Sequence, residues 1–409
     1  MKTVIIIGGG AAGLMAAVSA SGENKKVVLL ERNEKVGKKL FITGKGRCNL
    51  TNACDRDGFF RNVVRNPRFL YSAYANFDSG AIVSLVESAG VPTKVERGQR
   101  VFPTSDKSSD VLKALEKTVR KAGVTVRLNT KVSGVLTANG TVTGVKIRQT
   151  VEPFDAVVLA TGGLSYPSTG STGDGLRFAQ SVGHTITELH PALVPLETEE
   201  MWCGELSGLT LKNVVLTAYR GKKEVFSELG EMLFTHFGVS GPLVLSCSSL
   251  ISDHPEDVLM RIDLKPGLSW EQLDVRLLRD LSANARKTLS GALYGLLPQR
   301  LLGVVLEQAG LDGNLPVAQF SKAQRHTLAD TLKGLPLHVK RARPIAEAIV
   351  TRGGVDVKEV NPSTMESKKI KQLYFAGEML DVDAFTGGFN LQIAWATGAL
   401  AGSSIGSEL

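Results

Sequence analysis

The sequence predicts an α/β fold with a parallel sheet, an antiparallel β-barrel and a small helical region. The parallel sheet is indicated by short apolar strands that run straight into glycine turns, at residues 3–7 and again near 157 and 373. The barrel is indicated by period-two alternation after residue 191, and the helices by apolar residues at three- and four-residue spacing. Buried parallel strands are continuous apolar runs whereas half-buried antiparallel strands alternate, so the two patterns distinguish the two architectures.

The chain opens with MKTVIIIGGGAAGLMAAVSASG, which fits either a signal peptide or a phosphate-binding strand, turn and helix. Lys2 and a tail of small residues suit a signal peptide loosely, but three glycines inside the apolar core do not. Gly8, Gly10 and Gly13 have the spacing of a dinucleotide-binding turn, and the second strand KKVVLLE ends in Glu31. Free N–H groups at such a helix start bind phosphate, and such an acid binds ribose hydroxyls. We therefore expect that this N-terminal stretch is not cleaved. We expect it to form a Rossmann-type site for FAD or NAD rather than NADP.

Two later glycine clusters favour FAD over NAD. The strand predicted at 157–160 runs into the turn TGG, and the strand predicted at 373–376 runs into Gly-Glu and then a Gly-Gly pair. FAD lies extended across several strand ends, so it needs permissive turns far apart in sequence, whereas an NAD domain needs chiefly the first. A second Gly-x-Gly-x-x-Gly turn after a strand is missing, so we expect any NAD(P)H to dock transiently.

Four longer motifs are shared with a known family. They are GKKLFITGKGRCNLTN, LFTHFGVSGP, VTRGGVDVKEVNPSTMESK and LYFAGEMLDVDAFTGGFNLQIAWATG. The chain resembles the BaiN-like flavoproteins, also known as YhiN-like or aminoacetone-oxidase-family FAD enzymes, from Val4 to about Gly402. The resemblance implies non-covalent FAD in a discontinuous dinucleotide-binding domain interrupted by a β-barrel with a helical piece. One departure is Lys45, where relatives usually carry Gly or Asn.

The same resemblance implies cofactor contacts residue by residue. The adenosine, pyrophosphate and ribityl path would be lined by Gly8, Gly10, Ala12, Gly13, Glu31, Arg32, Lys39, Thr43, Gly44, Arg47, Cys48 and Asn49. The site would be completed by Val132, Ala160, Thr161, Gly162, Gly377, Glu378, Asp383, Gly388, Asn390 and Leu391.

The expected organisation is a Rossmann-type FAD-binding domain (discontinuous) with one insert. The FAD-binding domain covers 1–190 and 344–409, and the inserted substrate domain covers 191–343. The insert combines the antiparallel β-barrel with a helical subdomain at 269–334, for which Ser269 and Ser290 are predicted helix caps. We expect this insert to select the substrate.

Composition places the chain among ordinary folded proteins and excludes several classes. Of 409 residues, 43% are hydrophobic and 22% charged, and no apolar stretch is long enough to span a membrane. Four cysteines without Cys-x-x-Cys spacing predict reduced thiols in the cytoplasm. The net charge of +8 fits a nucleic-acid face, an anion site or a basic surface. Since the basic stretch at 325–344 lacks interleaved aromatics, we expect a solvated surface and no nucleic-acid or membrane partner.

Flavin would carry the redox chemistry, so the protein needs groups that position a substrate and move a proton. His236, Tyr166 and Arg100 are the candidates near glycine motifs, and each has a purely structural role as its alternative. Cys48 and Cys54 form a Cys-x5-Cys arrangement, which does not favour a redox disulfide. The sequence shows no metal-ligand cluster, catalytic triad or Walker loop.

The first hypothesis is that the protein is an FAD-dependent oxidoreductase. Its substrates would be small molecules, and anionic molecules are included in this class. By the resemblance, its reaction would be NAD(P)H-linked reduction of an activated carbon–carbon double bond, as in a steroid or bile-acid-like enone. One alternative is an oxidase of a small amine such as aminoacetone that produces peroxide. The other is a flavin-binding module for RNA or a partner protein without turnover of its own.

Overall fold

The computed structural model describes residues 1–406, which divide into two compact units. One unit comprises Met1–Ala192 and the chain from Ile345 onward, and the other comprises Leu193–Pro344. The first unit is therefore discontinuous, and the second is inserted between its two parts. Within residues 1–406, no helix combines the length and apolar character that a membrane span requires.

The regular elements are as follows. The strands are β1 (Lys2–Ile7), β2 (Lys25–Leu30), β3 (Thr51–Asn52), β4 (Thr93–Glu96), β5 (Arg100–Pro103), β6 (Thr125–Arg127), β7 (Val132–Ala138), β8 (Thr141–Ile147), β9 (Thr150–Pro153), β10 (Ala156–Leu159), β11 (His190–Ala192), β12 (Leu196–Thr198), β13 (Thr210–Arg220), β14 (Lys223–Thr235), β15 (Gly238–Ser240), β16 (Val258–Asp263), β17 (Leu335–Ala342), β18 (Val350–Arg352) and β19 (Leu373–Phe375). The helices are α1 (Ala11–Ala20), α2 (Lys38–Ile42), α3 (Arg56–Arg61), α4 (Tyr71–Asn76), α5 (Ser79–Ser88), α6 (Ser108–Lys121), α7 (Asp174–Ser181), α8 (Trp202–Glu205), α9 (Pro242–Ile251), α10 (Trp270–Ser282), α11 (Leu289–Ala292), α12 (Gln299–Gln308), α13 (Lys322–Lys333) and α14 (Phe389–Ser404).

The first unit is built on a parallel five-stranded sheet in the order β19-β10-β1-β2-β6. The central strand β1 pairs Ile5 with Val157 of β10 on one side and with Val28 of β2 on the other. Residues 4–7 and 156–159 are buried, which accounts for their continuous apolar character. Strands β2 and β6 lie on one side of β1, and the later strands β10 and β19 lie on the other. The direction in which strands are added therefore reverses at β1, and ligands of such sheets bind at the point of reversal.

Helices α1 and α14 pack against each other at the level of the backbone. A Cβ added to Gly398 would overlap Ala12 O, and one added to Gly402 would overlap Ala16 O. Main-chain atoms cannot move aside as a flexible side chain can, so both positions require glycine. The pair of glycines, one helical turn apart, allows the last helix of the unit to lie directly on the helix that follows the first glycine turn.

Three smaller sheets complete the first unit, in the orders β3-β5-β4, β7-β8-β9 and β11-β18. The middle one is a meander in which β7 and β8 are joined by Asn139 and Gly140, with φ of 51° and 71°. Such positive φ values at both central residues suit a tight hairpin turn.

The second unit contains the predicted antiparallel barrel, closed in the order β12-β15-β14-β13-β16-β17. Helices α10 to α13 pack their leucines into the same apolar core as the barrel. Capping boxes begin α10 at Ser269, as expected, and α13 at Ser321. The cap of α11 is Thr288 rather than Ser290, because the Thr288 side chain accepts the Gly291 N–H and starts the helix earlier.

The backbone contact between α1 and α14 predicts that Gly398→Ala and Gly402→Ala each lower the free energy of unfolding by about 1–3 kcal/mol, the usual cost of overpacking. The matched control is Gly80→Ala on α5, where an added Cβ meets only Asp78 Oδ1 at 3.4 Å. That variant should be neutral or slightly stabilised, because alanine favours helix. The measurement is unfolding followed by circular dichroism. Equal stability of all three variants would contradict the contact.

Candidate functional site

One cleft follows the carboxyl ends of β1, β2, β10 and β19. The empty volume of the cleft, including the part that is open to solvent at its mouth, is about 1370 Å³. Many residues expected along a cofactor line this cleft, namely Gly8, Gly10, Ala12, Glu31, Arg32, Lys39, Thr43, Val132, Ala160, Thr161, Gly162, Gly377, Glu378, Asn390 and Leu391.

The glycine turn after β1 brings main-chain N–H groups to the cleft. Gly8 has a φ of 107°, and a Cβ there would overlap Ala160 O, so both conformation and space require glycine. Gly10 caps α1 without a side-chain hydrogen bond, and nothing lies within 4 Å of a Cβ added to it. The first turn of α1 carries no acidic residue. The free N–H groups and the positive end of the helix therefore face open space, which suits a pyrophosphate.

The carboxylate of Glu31 is held in place at the end of β2. Its Oε2 accepts the Gly9 N–H at 2.7 Å, and its Oε1 accepts both the main-chain and side-chain N–H groups of Asn33 at 2.8 Å. A carboxylate has about four acceptor positions. The side chain is thus fixed by the protein and still has an acceptor position for ribose hydroxyls at the cleft.

An ion pair between Lys39 and Glu378 forms part of the cleft wall. Lys39 Nζ lies 2.6 Å from Glu378 Oε2 and also donates to Ser165 Oγ at 2.6 Å. Glu378 Oε1 accepts from Ser165 Oγ at 2.8 Å and from Thr351 N at 2.9 Å. Burial works to raise the pKa of the Glu378 carboxyl, but the Lys39 ammonium and these hydrogen bonds outweigh it and hold the pKa below its usual value. Sequence reasoning placed Lys39 and Glu378 at the cofactor but missed Ser165 and Thr351.

A second helix begins at the cleft. Gly388, with φ of 99°, precedes α14 and provides no side-chain cap. Asn390 and Leu391 of its first turn line the cleft. The Asn390 side chain bonds both the N–H and the C=O of Ala384, which fixes the loop that leads into the helix.

Seven residues expected at the cofactor lie outside the cleft lining. Gly13 packs on the turn itself, because a Cβ there would overlap Gly8 O. Arg47 pairs with Glu96 and Asp106, each at 2.5 Å, and its guanidinium lies 4.2 Å from the centre of the Phe102 ring. The others are Gly44, Cys48, Asn49, Asp383 and Gly388.

The thiols do not form a redox pair. Cys48 and Cys54 are both free. Burial raises the pKa of Cys48 to about 12, and burial also raises the pKa of Cys54. Since the thiolate is the reactive form, neither position has the environment of a reactive cysteine.

The three catalytic candidates belong to different elements of the two units. His236 belongs to the second unit, where it is exposed in the turn between β14 and β15. Tyr166 has a φ of 51° and lies in the loop after β10, outside the cleft lining. Arg100 is exposed at the start of β5, and its Nε donates to Arg97 O.

Asp383 is a buried acid near the cleft, in the loop before α14. Only 1% of the residue is exposed, and neither carboxylate oxygen has a hydrogen-bond partner among residues 1–406. Val382, the preceding residue, lines the cleft. Sequence reasoning assigned Asp383 to the cofactor through the resemblance and missed its burial, which no local pattern shows.

The residues present fit a flavin dinucleotide. Two uncapped helix starts, at Gly10 and Gly388, supply free N–H groups and partial positive charge at separate places along the cleft. Glu31 provides the ribose acceptor near one of them, and the Lys39–Glu378 pair adds polar side chains between the strand ends. An extended cofactor with a central pyrophosphate matches this distribution better than a mononucleotide does.

Comparison with known proteins agrees with this geometry. The family model described as HI0933-like protein Rossmann domain matches residues 2–404. The chain is 34% identical over 408 residues to a 3-dehydro-bile acid delta(4,6)-reductase of Clostridium scindens, with 98% of each chain covered. It is 32% identical over 404 residues to a ribosomal RNA dihydrouridine synthase of Escherichia coli, with 96% of this chain and 95% of the relative covered.

A solved structure shows the same fold. The 3-ketosteroid delta1-dehydrogenase from Sterolibacterium denitrificans matches with a TM-score of 0.53 and 13% identity, over 99% of each chain. At this identity the likeness concerns the fold alone. The family model and the full-length relatives confirm the resemblance to BaiN-like flavoproteins, and the chain belongs to the HI0933-like family of Rossmann-fold, FAD-dependent oxidoreductases.

Proposed function

We propose that the protein reduces a carbon–carbon double bond conjugated with a carbonyl group, with NAD(P)H as the hydride source. The observation that carries the proposal is the dinucleotide cleft, in a chain whose full-length relatives are named for this chemistry on two substrates. A steroid enone and the ring of uracil both place a double bond beside a carbonyl. The first candidate substrate is a small steroid or bile-acid-like enone.

Bound FAD supplies the hydride-transfer chemistry. The chain contributes binding and orientation. The free N–H groups at the start of α1 bind the pyrophosphate, and Glu31 binds the ribose. The positive end of α14, at Asn390 and Leu391, stabilises negative charge that develops at the cleft.

Reduction of such a bond also consumes a proton, and Asp383 is the group that we propose holds it. Burial raises the pKa of its carboxyl to about 6. The positive charges of Arg352 and Arg65 oppose this rise, and the negative charge of Asp381 adds to it. A carboxyl with this pKa exchanges its proton close to neutral pH, as a general acid requires.

The second candidate substrate is a uracil base in ribosomal RNA. The specific observation in its favour is a set of exposed arginines on the first unit, including Arg56, Arg61 and Arg68. Together with the net charge of +8, they offer positive charge for the phosphates of RNA.

The cofactor placement predicts that Gly10→Val weakens FAD binding by about tenfold or more and leaves the fold intact. Gly10 has φ of −81° and open space around an added Cβ, so the new side chain would occupy only the cleft. Gly22→Val is the control, because that position is equally open and lies outside the cleft. The measurement is bound flavin per chain after reconstitution, beside the melting temperature of the apoprotein. Full flavin content in Gly10→Val would contradict the placement.

The proposed reaction predicts that anaerobic mixing of the flavin-loaded protein with NADH or NADPH removes the oxidised-flavin absorbance. A conjugated steroid enone should then restore it, because its double bond accepts the hydride, whereas the saturated ketone should not. Loss of absorbance only with aminoacetone, and peroxide on re-aeration, would identify an amine oxidase instead. No loss with either reagent would identify a module without turnover.

The buried charge of Asp383 predicts that Asp383→Asn stabilises the apoprotein at about pH 8 and has little effect at about pH 4. The folded protein binds this proton more tightly than the unfolded chain, so wild-type stability falls as the pH rises from about 4 to about 6. A shift of about two pKa units corresponds to about 3 kcal/mol. Urea unfolding at the two pH values is the measurement.

The control for this variant is Glu116→Gln, which removes an exposed carboxyl on α6 and should be neutral at both pH values. If Asp383 also donates the proton, wild-type turnover should fall as the pH rises through about 6, and the variant should lose this limb. An Asp383→Asn apoprotein less stable than the wild type near pH 8 would refute the buried, unpartnered charge.

A further inference from the structure

Five exposed arginines lie on two segments of the first unit. Arg56, Arg61 and Arg68 belong to the stretch from α3 to the start of α4, and Arg97 and Arg100 belong to the turn between β4 and β5. We call them the arginine surface. Among residues 1–406, none of the five forms a salt bridge with a carboxylate, in contrast to Arg32, Arg47 and Arg127 of the same unit.

Side-chain and backbone hydrogen bonds bring the two segments together. Asn52 Nδ2 donates to Gly98 O at 3.0 Å, and Ala53 N donates to Gln99 O at 2.7 Å. The turn that carries Arg97 and Arg100 therefore lies against the residues that lead into α3. Arginines that are about 40 positions apart in sequence thus share one part of the surface.

The same segments hold the loop that forms part of the cleft wall. Asn52 Nδ2 also donates to Gly387 O at 3.0 Å, Val64 N donates to Asp383 O at 2.8 Å, and Phe385 N donates to Asn62 O at 2.9 Å. This loop contains Val382 of the cleft lining and ends where α14 begins. Residues next to the arginine surface in sequence therefore contact the loop that forms part of the cleft wall.

An exposed aromatic ring belongs to the same surface. Tyr71 is 44% exposed and packs edge-on against Phe60, with ring centroids 4.7 Å apart. The Arg56 guanidinium lies 5.4 Å from the centre of the Tyr71 ring and 5.7 Å from that of Phe60. Guanidinium groups beside an exposed ring provide contacts to phosphates and a stacking partner for a base.

We propose that the arginine surface binds the phosphates of a single-stranded RNA segment and that Tyr71 stacks on one of its bases. The proposal rests on the second candidate substrate of the proposed function. A base within a duplex cannot reach a cleft, so the strand must present it unpaired. Asp55 and Asp57 are the exposed acids of the first segment, and Asp55 is engaged in capping α3, so the positive charge of the surface predominates.

The test is equilibrium binding of a labelled, uridine-containing single-stranded RNA to the flavin-loaded protein at several salt concentrations. The double variant Arg61→Gln, Arg68→Gln should bind about tenfold more weakly or worse, and its plot of log affinity against log salt should be shallower by about 1.4. The control double variant Arg120→Gln, Arg148→Gln removes two exposed arginines of the same unit outside this surface and should bind as the wild type does.

Tyr71 is tested separately by two substitutions. Tyr71→Ala should weaken binding by about fivefold or more, and Tyr71→Phe should retain it, because stacking needs the ring and not the hydroxyl. Flavin content and melting temperature establish that each variant is folded. Equal affinity and salt slope in the wild type and the arginine double variant would overturn the proposal, as would no RNA binding by the wild type.

The binding assay is independent of turnover. If the protein binds RNA through these residues but forms no reduced uridine, RNA is not its substrate. The proposal that the arginine surface binds RNA would still hold. If the protein reduces a small enone but does not bind RNA, the proposal that the arginine surface binds RNA is wrong. The proposal that the protein reduces a conjugated double bond would still hold.

Discussion

The ion pair between Lys39 and Glu378 is the contact on which the cleft depends. It joins α2, near the start of the chain, to the residues after β19, which lie beyond the insert, and hydrogen bonds add Ser165 and Thr351 from two further segments. Taking a charge out of water costs least when the charge is paired and hydrogen-bonded. The two parts of the first unit must therefore both be in place before either charge is satisfied, and the same residues then form the cleft wall.

Close backbone packing supports this arrangement. Gly398 and Gly402 let α14 lie on α1, so the two helices are held as one pair. Each helix follows a glycine that provides no side-chain cap, and residues of the first turn of each helix line the cleft. A serine or aspartate cap would satisfy these N–H groups within the protein, whereas glycine leaves them for a ligand. The first turns of these helices are thus less stable without a ligand, but their N–H groups remain available to bind one.

Local patterns were sufficient to predict the parallel sheet, the barrel and the approximate position of the cleft. The turn at Gly8 and the acid at Glu31 follow strands whose burial gives a continuous apolar signal, so their place in the fold could be inferred from a short window. Arg47 could not be placed in this way, because its partners Glu96 and Asp106 are brought to it by the sheet formed by β3, β5 and β4. The burial of Asp383 and the joining of the arginine segments depend in the same way on contacts between distant residues.

The character of the cleft lining bears on how one fold serves different substrates. Near the glycine turn after β1 the lining is main chain and small residues, which suit a dinucleotide and carry little information about a substrate. Relatives named for a bile acid and for ribosomal RNA both align over nearly the whole chain, so the change of substrate did not require a change of fold. Discrimination must then reside in residues outside the cofactor contacts. A strand of phosphates requires exposed positive charge, whereas a steroid requires apolar surface, so variants of the arginine surface distinguish the two candidate substrates.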